Sequence, residues 1–271
     1  MKIKVVTWNL RRARQNGQQW DIIRLLNADI LTLQEVISIP NDILNSHSVI
    51  FEKATKKDGS KQQFGSAILV KGEIKNRFAL DSDIEWVNNE IDFFSGNLIC
   101  CKAALNNDII VNIVSVYSPA WPISKERLKA IDVDAIKLIQ NPELWVTELL
   151  WSGLKNQQNI TSENWIVAGD FNSSTTFDNW SKSPRGNQEI IDRMNAIDLT
   201  ECLYTSNGSL VPTFKNSNGG KIIHQIDHVY VSPPLLSCLD SSYVGDMYNI
   251  FEDSISDHLP IISDFDISLP H

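Results

Sequence analysis

Long apolar runs are missing from this 271-residue chain. No uninterrupted stretch reaches the ~18 apolar residues that a membrane-spanning helix needs, so we expect no membrane partner. The first residues enter a β-rich segment at once, without the charged and then apolar leader that is typical of a signal peptide. Together the two absences predict a cytoplasmic protein.

Cysteine is scarce as well. The four cysteines, Cys100, Cys101, Cys202 and Cys238, form no C-x-x-C pair, which argues against a zinc site or a disulfide framework. We therefore expect buried free thiols. Cys100 and Cys101 are adjacent, so on a strand their side chains would face opposite sides of the sheet.

Positive charge is outweighed by negative charge: 24 Lys and Arg stand against 33 Asp and Glu, giving a net charge of -9 and a pI near 5.0. Nucleic-acid binders are usually basic, so this balance argues against tight non-specific DNA binding, though it allows a nuclease that turns its substrate over. The chain also has no G-x-x-x-x-G-K-[ST] loop, H-E-x-x-H motif or G-x-S-x-G elbow. Those absences argue against three common enzyme classes.

The chain does contain ample material for a large core, with 42% hydrophobic residues and eight Trp. Local patterns predict strands, hairpins and intervening helices, an organisation typical of two packed sheets flanked by helices. Because motifs at both ends must meet in space, we predict one domain over residues 1–271. The predicted helices are 18–27, 124–139, 142–155 and 188–197, and the predicted strands are 2–7, 29–33, 49–54, 66–70, 97–104, 109–117, 165–168, 224–231, 236–244 and 260–267.

Polar and acidic side chains recur at or inside these apolar runs. Asn9, Glu35 and Asp170 each follow a short apolar run, Asp227 lies within another, and Asp257-His258 stands just before the last. Burying a charge costs several kcal/mol unless it is paired or bound to a metal. One such residue could be a paired core acid, but five along one chain indicate a site.

In this order, the segments T-W-N, L-Q-E-V, G-D-F-N, I-D-H-V and S-D-H-L-P-I resemble the endonuclease/exonuclease/phosphatase superfamily, which includes exonuclease III and DNase I. The resemblance spans nearly the whole chain. It implies an α/β fold, specifically a four-layer α/β/β/α sandwich with two packed mixed sheets flanked by helices. It also implies hydrolysis of phosphodiesters with the help of Mg²⁺ or Mn²⁺.

By this resemblance, the metal ligands are Asn9, Glu35 and Asp257. Magnesium takes oxygen ligands, commonly one or two carboxylates together with waters and substrate phosphate. Taken alone, Asn9 would be read as a turn or helix-capping amide.

The resemblance also assigns catalytic roles. Asp170 orients or deprotonates the attacking water, Asn172 binds a phosphate oxygen, and Asp227 orients His258. A histidine fixed in this way can donate to a phosphate oxygen, and both a base and an electrostatic stabiliser remain open for His258. His228 follows Asp227 on the same strand and should face the opposite side.

Tyr117 aligns with the tyrosine that touches the scissile phosphate in exonuclease III-like enzymes; otherwise it is a tyrosine packed at the rim. The chain departs from those enzymes at Ala120, where they usually have asparagine. It departs again at Val36 and Ile37, where they have a lysine soon after the metal glutamate.

Substrate contacts are expected from loops. The basic cluster Arg11, Arg12 and Arg14 directly follows Asn9 and gives the best candidates for contacts to the phosphate backbone. Trp180 and Arg185 lie in a second loop, where aromatic rings among cations suit base stacking. A third turn, with three lysines in residues 56–61, is more typical of solvated surface.

We therefore predict a divalent-metal-dependent phosphodiester hydrolase, specifically a nuclease acting on DNA. One alternative is a phosphatase or phosphodiesterase that acts on a small or lipid-derived phosphoester, which the acidic charge and the missing lysine favour. The other is a non-catalytic binding or scaffold protein, which the complete set of site residues opposes.

Overall fold

The computed structural model describes residues 2–106, 108–178, 185–216 and 220–267. Its strands are β1 (Lys2–Ala13), β2 (Ile30–Val36), β3 (Ser48–Thr55), β4 (Lys61–Val70), β5 (Gly72–Phe78), β6 (Leu98–Leu105), β7 (Ile110–Tyr117), β8 (Trp165–Asp170), β9 (Thr200–Glu201), β10 (Phe214–Lys215), β11 (Ile222–His224), β12 (Asp227–Val231), β13 (Leu239–Val244) and β14 (Ile261–Asp266). Its helices are α1 (Gln19–Leu26), α2 (Asn41–Ser46), α3 (Glu85–Phe93), α4 (Val146–Lys155), α5 (Thr175–Asp178), α6 (Asn187–Asn195), α7 (Cys202–Asn207), α8 (Pro233–Leu236) and α9 (Met247–Glu252).

The strands form two six-stranded sheets. The first has the order β13-β14-β1-β2-β4-β3, and the second has the order β5-β6-β7-β8-β12-β9, while β10 and β11 form a separate pair. Most neighbours are antiparallel, but each large sheet has one central parallel pair, β1 with β2 and β7 with β8. Both sheets are therefore mixed, as predicted.

Three hydrophobic clusters separate the layers. Ile3 and Val5 of the first sheet meet Ile113 and Ile166 of the second in the cluster between the sheets. On the outer faces, one cluster joins the first sheet to α1, α2 and α9, and another joins the second sheet to α3, α4 and α6. The layer order is thus helix, sheet, sheet, helix, which confirms the four-layer α/β/β/α sandwich.

Side-chain alternation along the strands explains how one sequence serves two clusters. Cys100 packs in the outer cluster of the second sheet and Cys101 in the cluster between the sheets, because successive side chains of a strand face opposite sides. All four cysteines are free thiols, three of them buried and Cys238 half-buried. Within the described residues, no helix is both long and apolar enough to cross a membrane.

Two predicted helices are wrong in whole or in part. Residues 124–139 form turns, because Ala130 adopts a left-handed backbone (φ 67°) and the Asp132 carboxylate accepts the Asp134 amide in an Asx-type turn. The helix predicted from residue 142 begins only at Val146, because the Asn141 side chain accepts the Glu143 amide and holds a second such turn. The strand predicted over 224–231 is divided between β11 and β12.

Candidate active site

The two parallel strand pairs bring polar residues to one edge of the sandwich. In the first sheet Asn9 lies beside Gln34, one residue before Glu35. In the second sheet Tyr117 lies beside Asp170. The carboxyl ends of parallel strands meet at the same edge of a sheet, where α/β proteins commonly place their ligand sites. The sheets face each other here, since the Asn9 amide donates to Asp170 Oδ2 across the interface at 3.0 Å.

Irregular backbone shapes the first-sheet side of this edge. The pairing of β1 with β2 shifts register between Asn9 and Ala13, and Arg11, Arg12 and Glu35 all have left-handed backbones, with φ of 49°, 60° and 53°. The Arg11 amide donates to Asn9 Oδ1 at 3.0 Å. Such conformations cost about 1–3 kcal/mol each and concentrate at functional sites.

The second-sheet side is set by the pairing of β8 with β12. Asp170 lies directly opposite Asp227 in this antiparallel pair, so two carboxylates share one face of the sheet. Gly169 precedes Asp170 with φ 154°, and a Cβ atom there would clash with the Val116 carbonyl oxygen. Glycine is therefore required for β8 to approach β7 closely just before the acid.

His258 lies between two carboxylates, one of which holds its Nδ1. Its Nδ1 lies 2.9 Å from Asp227 Oδ2, and the Thr213 hydroxyl donates to the same carboxylate at 2.7 Å. Its Nε2 lies 4.0 Å from Asp170 Oδ2. Burial lowers the pKa of His258, but the Asp227 and Asp170 carboxylates outweigh that effect and raise it to about 10. The imidazolium form is therefore favoured at neutral pH.

Asp170 is 1% exposed and has several donors around it. Besides Asn9, the backbone amide of Asn172 donates to Asp170 Oδ1 at 2.9 Å. The Asn172 side-chain amide donates to the Ser118 carbonyl at 2.6 Å. Burial is the main cause that raises the pKa of Asp170 to about 7, and the Asp227 charge adds to the rise.

Tyr117 joins the two sides of the edge. Its hydroxyl donates to Glu35 Oε1 at 3.1 Å, and its ring packs edge-on against Phe64 of β4 with centroids 5.9 Å apart. Burial raises the pKa of Tyr117 far above its usual value, so the hydroxyl stays protonated as a donor. Burial also raises the pKa of Glu35, and the Asp257 carboxylate adds to that rise.

Two groups of side chains have the chemistry to hold a cation. Asp170, Asp227 and His258 offer ligand atoms within 4.8 Å of one another, but hydrogen bonds to Asn9, Asn172, Thr213 and among themselves already occupy these atoms. Glu35 and Asp257 are both half-buried; burial raises the pKa of Glu35, and the Asp257 charge adds to the rise by a repulsion that a divalent cation would relieve. The second pair fits a hard cation better because it offers oxygen atoms alone, whereas the first group includes an imidazole nitrogen. Asn9 Oδ1 accepts from the Arg11 amide and has a second lone pair to offer.

The predicted substrate contacts are less uniform. Arg12 lies against the site, with its guanidinium 3.9 Å from Glu35 Oε2 and 5.4 Å from the Phe64 ring centroid. Arg11 is exposed and donates to the Ser254 carbonyl at 3.3 Å, and Arg14 is exposed as well. The guanidinium of Arg185 lies 5.6 Å from the Phe177 ring centroid. Trp180 lies outside the described residues.

Three further residues border the site without a motif to reveal them. Thr213 and Phe64 contact predicted site residues, but each stands in a sequence context with no distinctive spacing. Glu148 of α4 is 1% exposed and lines a cavity of about 20 Å³ together with Asn172. Burial raises the pKa of Glu148 to about 7. The sequence offered one indication of Glu148: it is an acid among apolar residues in the helix predicted over residues 142–155.

Solved structures with the same fold include several nucleic-acid enzymes. An AP endonuclease from Archaeoglobus fulgidus aligns with a TM-score of 0.71 and 19% identity over 98% of this chain and 100% of that chain. The 3′ phosphatase NExo from Neisseria, bound to a product DNA hairpin, aligns with a TM-score of 0.67 and 19% identity over 98% and 100%. The AP endonuclease LMAP from Leishmania major aligns with a TM-score of 0.65 and 12% identity over 98% and 88%.

Sequence comparison gives the family directly. No curated protein matches the chain significantly, whereas the sequence model of one family matches residues 6–258, from β1 through His258. This range includes every motif that forms the site. The chain therefore belongs to the Endonuclease/Exonuclease/phosphatase family.

Proposed function

We propose that the protein is a divalent-metal-dependent phosphodiesterase that cleaves DNA. The observation that carries this proposal is the chain of contacts from Asp227 through His258 and Asp170 to Asn9, which crosses from one sheet to the other. Family membership supports hydrolysis of a phosphoester. The polar edge supplies a group to accept a proton, a cationic donor and paired carboxylates, which are what phosphodiester hydrolysis needs.

Asp170 and His258 divide the proton chemistry. A general base works best when its pKa lies near the working pH, and a pKa of about 7 suits Asp170 for accepting a proton from the attacking water. His258 has a pKa of about 10, so it serves better as a cationic donor to a phosphate oxygen than as a base. Asp227 keeps the Nδ1 side of the ring occupied, and Nε2 is left for the phosphate.

Glu35, Asp257 and Asn9 are the residues that would hold the cation, and Mg²⁺ or Mn²⁺ suits their oxygen atoms. When bound, the cation neutralises phosphate charge and lowers the pKa of a coordinated water. The Tyr117 hydroxyl fixes one Glu35 oxygen and points into the same edge. Because the hydroxyl has one proton, a hydrogen bond to a phosphate oxygen would replace its bond to Glu35 once the cation holds that carboxylate.

DNA is the favoured substrate because the site offers features for a polyanion. Arg12 is placed over Phe64 beside the carboxylates, and Arg185 lines the cavity that contains Asn172. The similar structures named above are AP endonucleases and a 3′ phosphatase with a DNA hairpin. A net charge of -9 is compatible with an enzyme that binds DNA locally and releases its product.

A substrate panel tests this proposal. Single- and double-stranded DNA, abasic-site DNA, RNA and a small activated phosphodiester are incubated with Mg²⁺ or Mn²⁺ and then with EDTA. We expect metal-dependent cleavage of DNA that is lost in Asp170→Asn and kept in Asp81→Asn, an exposed acid in the loop between β5 and α3. Hydrolysis of the small ester without DNA cleavage would establish the phosphatase alternative. No hydrolysis of any substrate would count against the proposed activity.

A further inference from the structure

A second buried histidine lies behind the site. His228 follows Asp227 in β12, so the two side chains leave opposite faces of the second sheet. Asp227 faces the first sheet and contacts His258. His228 faces outward, is 3% exposed, and packs edge-on against Phe171 with ring centroids 5.3 Å apart. One dipeptide thus reaches both the catalytic histidine and the back of the segment that carries Asn172.

The imidazole of His228 is fixed by polar contacts on both nitrogens. Its Nε2 lies 3.0 Å from the Ser173 carbonyl oxygen. Its Nδ1 lies 3.2 Å from the Gln225 amide nitrogen and 3.8 Å from Glu201 Oε1. The Val211 amide donates to Gln225 Oε1 at 2.9 Å, which sets the orientation of the Gln225 amide group.

These contacts determine where the His228 proton lies. In the neutral ring, Nδ1 accepts from Gln225, so Nε2 must carry the proton. In the imidazolium, both nitrogens carry protons and the Glu201 carboxylate compensates the charge. Ser173 therefore accepts a hydrogen bond from Nε2 in either protonation state.

Ser173 is well placed to transmit this constraint. It directly follows Asn172, whose left-handed backbone (φ 48°) is a conformation that needs support from its surroundings. The Ser173 hydroxyl donates to Asn187 Oδ1 at 2.7 Å, and the Phe171 amide donates to the Ile226 carbonyl at 2.9 Å. His228 supplies the bond to the carbonyl of the same short turn.

We propose that His228 is a positioning residue that holds Asn172 in place to bind the phosphate, acting through the Ser173 carbonyl from the outer face of the sheet. The inference rests on the proposed function of Asn172. A side chain that only filled space between Phe171 and Tyr230 could be a phenylalanine. The two occupied nitrogens in a buried site distinguish His228 from such a filler, since buried polar groups are costly unless bonded.

Two substitutions separate positioning from packing. His228→Phe keeps an aromatic ring but removes the donor, while His228→Gln places an amide nitrogen near the position of Nε2. On the DNA substrate found with the panel, we expect kcat/KM to fall roughly 10–100-fold in His228→Phe, a loss in the range known for supporting residues. His228→Gln should recover most of this loss. Tyr230→Phe, on the same face at 5.6 Å between ring centroids, is the matched control and should be unaffected.

A double-mutant cycle identifies the residue through which His228 acts. If it acts through Asn172, His228→Phe should add almost nothing to the loss already caused by Asn172→Ala. Fully additive losses would overturn the proposal, and so would equal losses in His228→Phe and His228→Gln.

A spectroscopic readout keeps the proposal testable apart from catalysis. In His228→Phe the side-chain amide resonances of Asn172 should shift, while in Tyr230→Phe they should stay. An unchanged Asn172 amide in His228→Phe would overturn the positioning role even if no substrate were hydrolysed. Failure of the wild type on every substrate would instead count against the proposed function.

Discussion

The interface between the two sheets has an apolar end and a polar end, built from the same strands. On β1 the inward-facing residues change from Ile3 and Val5 to Thr7 and Asn9 over four alternate positions. The same change occurs on three other strands: from Ile30 to Thr32 and Gln34 on β2, from Ile113 to Ser115 and Tyr117 on β7, and from Ile166 to Asp170 on β8.

This difference separates stability from chemistry. The apolar end gains free energy by removing hydrocarbon from water. The polar end buries carboxylates whose pKa values are raised mainly by burial, as at Asp170 and Glu35. Burying these carboxylates in their charged form is therefore unfavourable unless a counterion or partner is present. We expect substitutions at the two ends to affect different measurements.

The largest effect should follow a change at the polar end. Asp170→Asn removes the proton acceptor and should lower kcat by about 10²–10⁴-fold, the range for a positioned acid–base group. Circular dichroism should show an intact fold. A near wild-type kcat for Asp170→Asn on a confirmed substrate would show that the polar end does not carry the chemistry.

A change at the apolar end should give the opposite result. Ile113 is fully buried between the sheets, and Ile113→Ala should lower the free energy of unfolding by about 2–5 kcal/mol. Because Ile113 does not touch the polar edge, kcat below the unfolding temperature should stay within a few-fold of the wild type. Denaturant unfolding and steady-state kinetics on the same preparation test both halves of this expectation. A large loss of kcat in a folded Ile113→Ala would show that the two ends are coupled.

Glu148, which borders the site, tests whether a buried acid outside the predicted catalytic and metal-binding set also lowers stability. Its pKa rises from 4.5 to about 7 because of burial. Between these values the folded protein keeps a proton that the unfolded chain loses, so stability falls as pH rises through this window. The effect amounts to at most about 3.5 kcal/mol, and Glu148→Gln should abolish it. If the free energy of unfolding changed with pH by the same amount in wild type and Glu148→Gln from pH 4 to 8, this account would be contradicted.

The smallest effect should follow a change at Arg12, which is exposed beside Glu35 at the polar end. Arg12→Ala should weaken DNA binding and lower the slope of log affinity against log salt by about one unit, as expected for one lost phosphate contact. Lys75→Ala is the control, because Lys75 is exposed on the edge strand β5. Equal slopes for Arg12→Ala and the wild type would exclude Arg12 from the DNA path.

The sequence made some of this arrangement predictable. Acids that follow apolar runs indicated strand ends, and Asn9, Glu35, Asp170 and His258 do meet at one edge. The pairing of Asp227 with His258 was expected from the family resemblance alone. The bond between Asn9 and Asp170 was not predicted, because it joins segments 161 residues apart. The assigned roles and the metal ligands stay predictions.

Other elements were missed because their local patterns are weak. The edge strand β5 has mostly polar and exposed residues, so it lacks the apolar alternation that marks a strand. In the helix α3 the buried face includes the charged residue Glu90 between Val87 and Ile91, so the apolar stripe is interrupted. Conversely, residues 124–139 looked helical but form turns, because side-chain bonds of aspartate to the backbone compete with helix formation.

The central claim is that the polar end forms one divalent-cation centre around Glu35. Calorimetric titration of Mn²⁺ and Mg²⁺ into wild type, Glu35→Gln and the exposed control Glu73→Gln tests it most directly. We predict that Glu35→Gln lowers metal affinity by at least about tenfold, since even outer-shell changes cost about 10–100-fold, and that Glu73→Gln leaves it unchanged. Equal metal affinity in Glu35→Gln and the wild type would contradict the account.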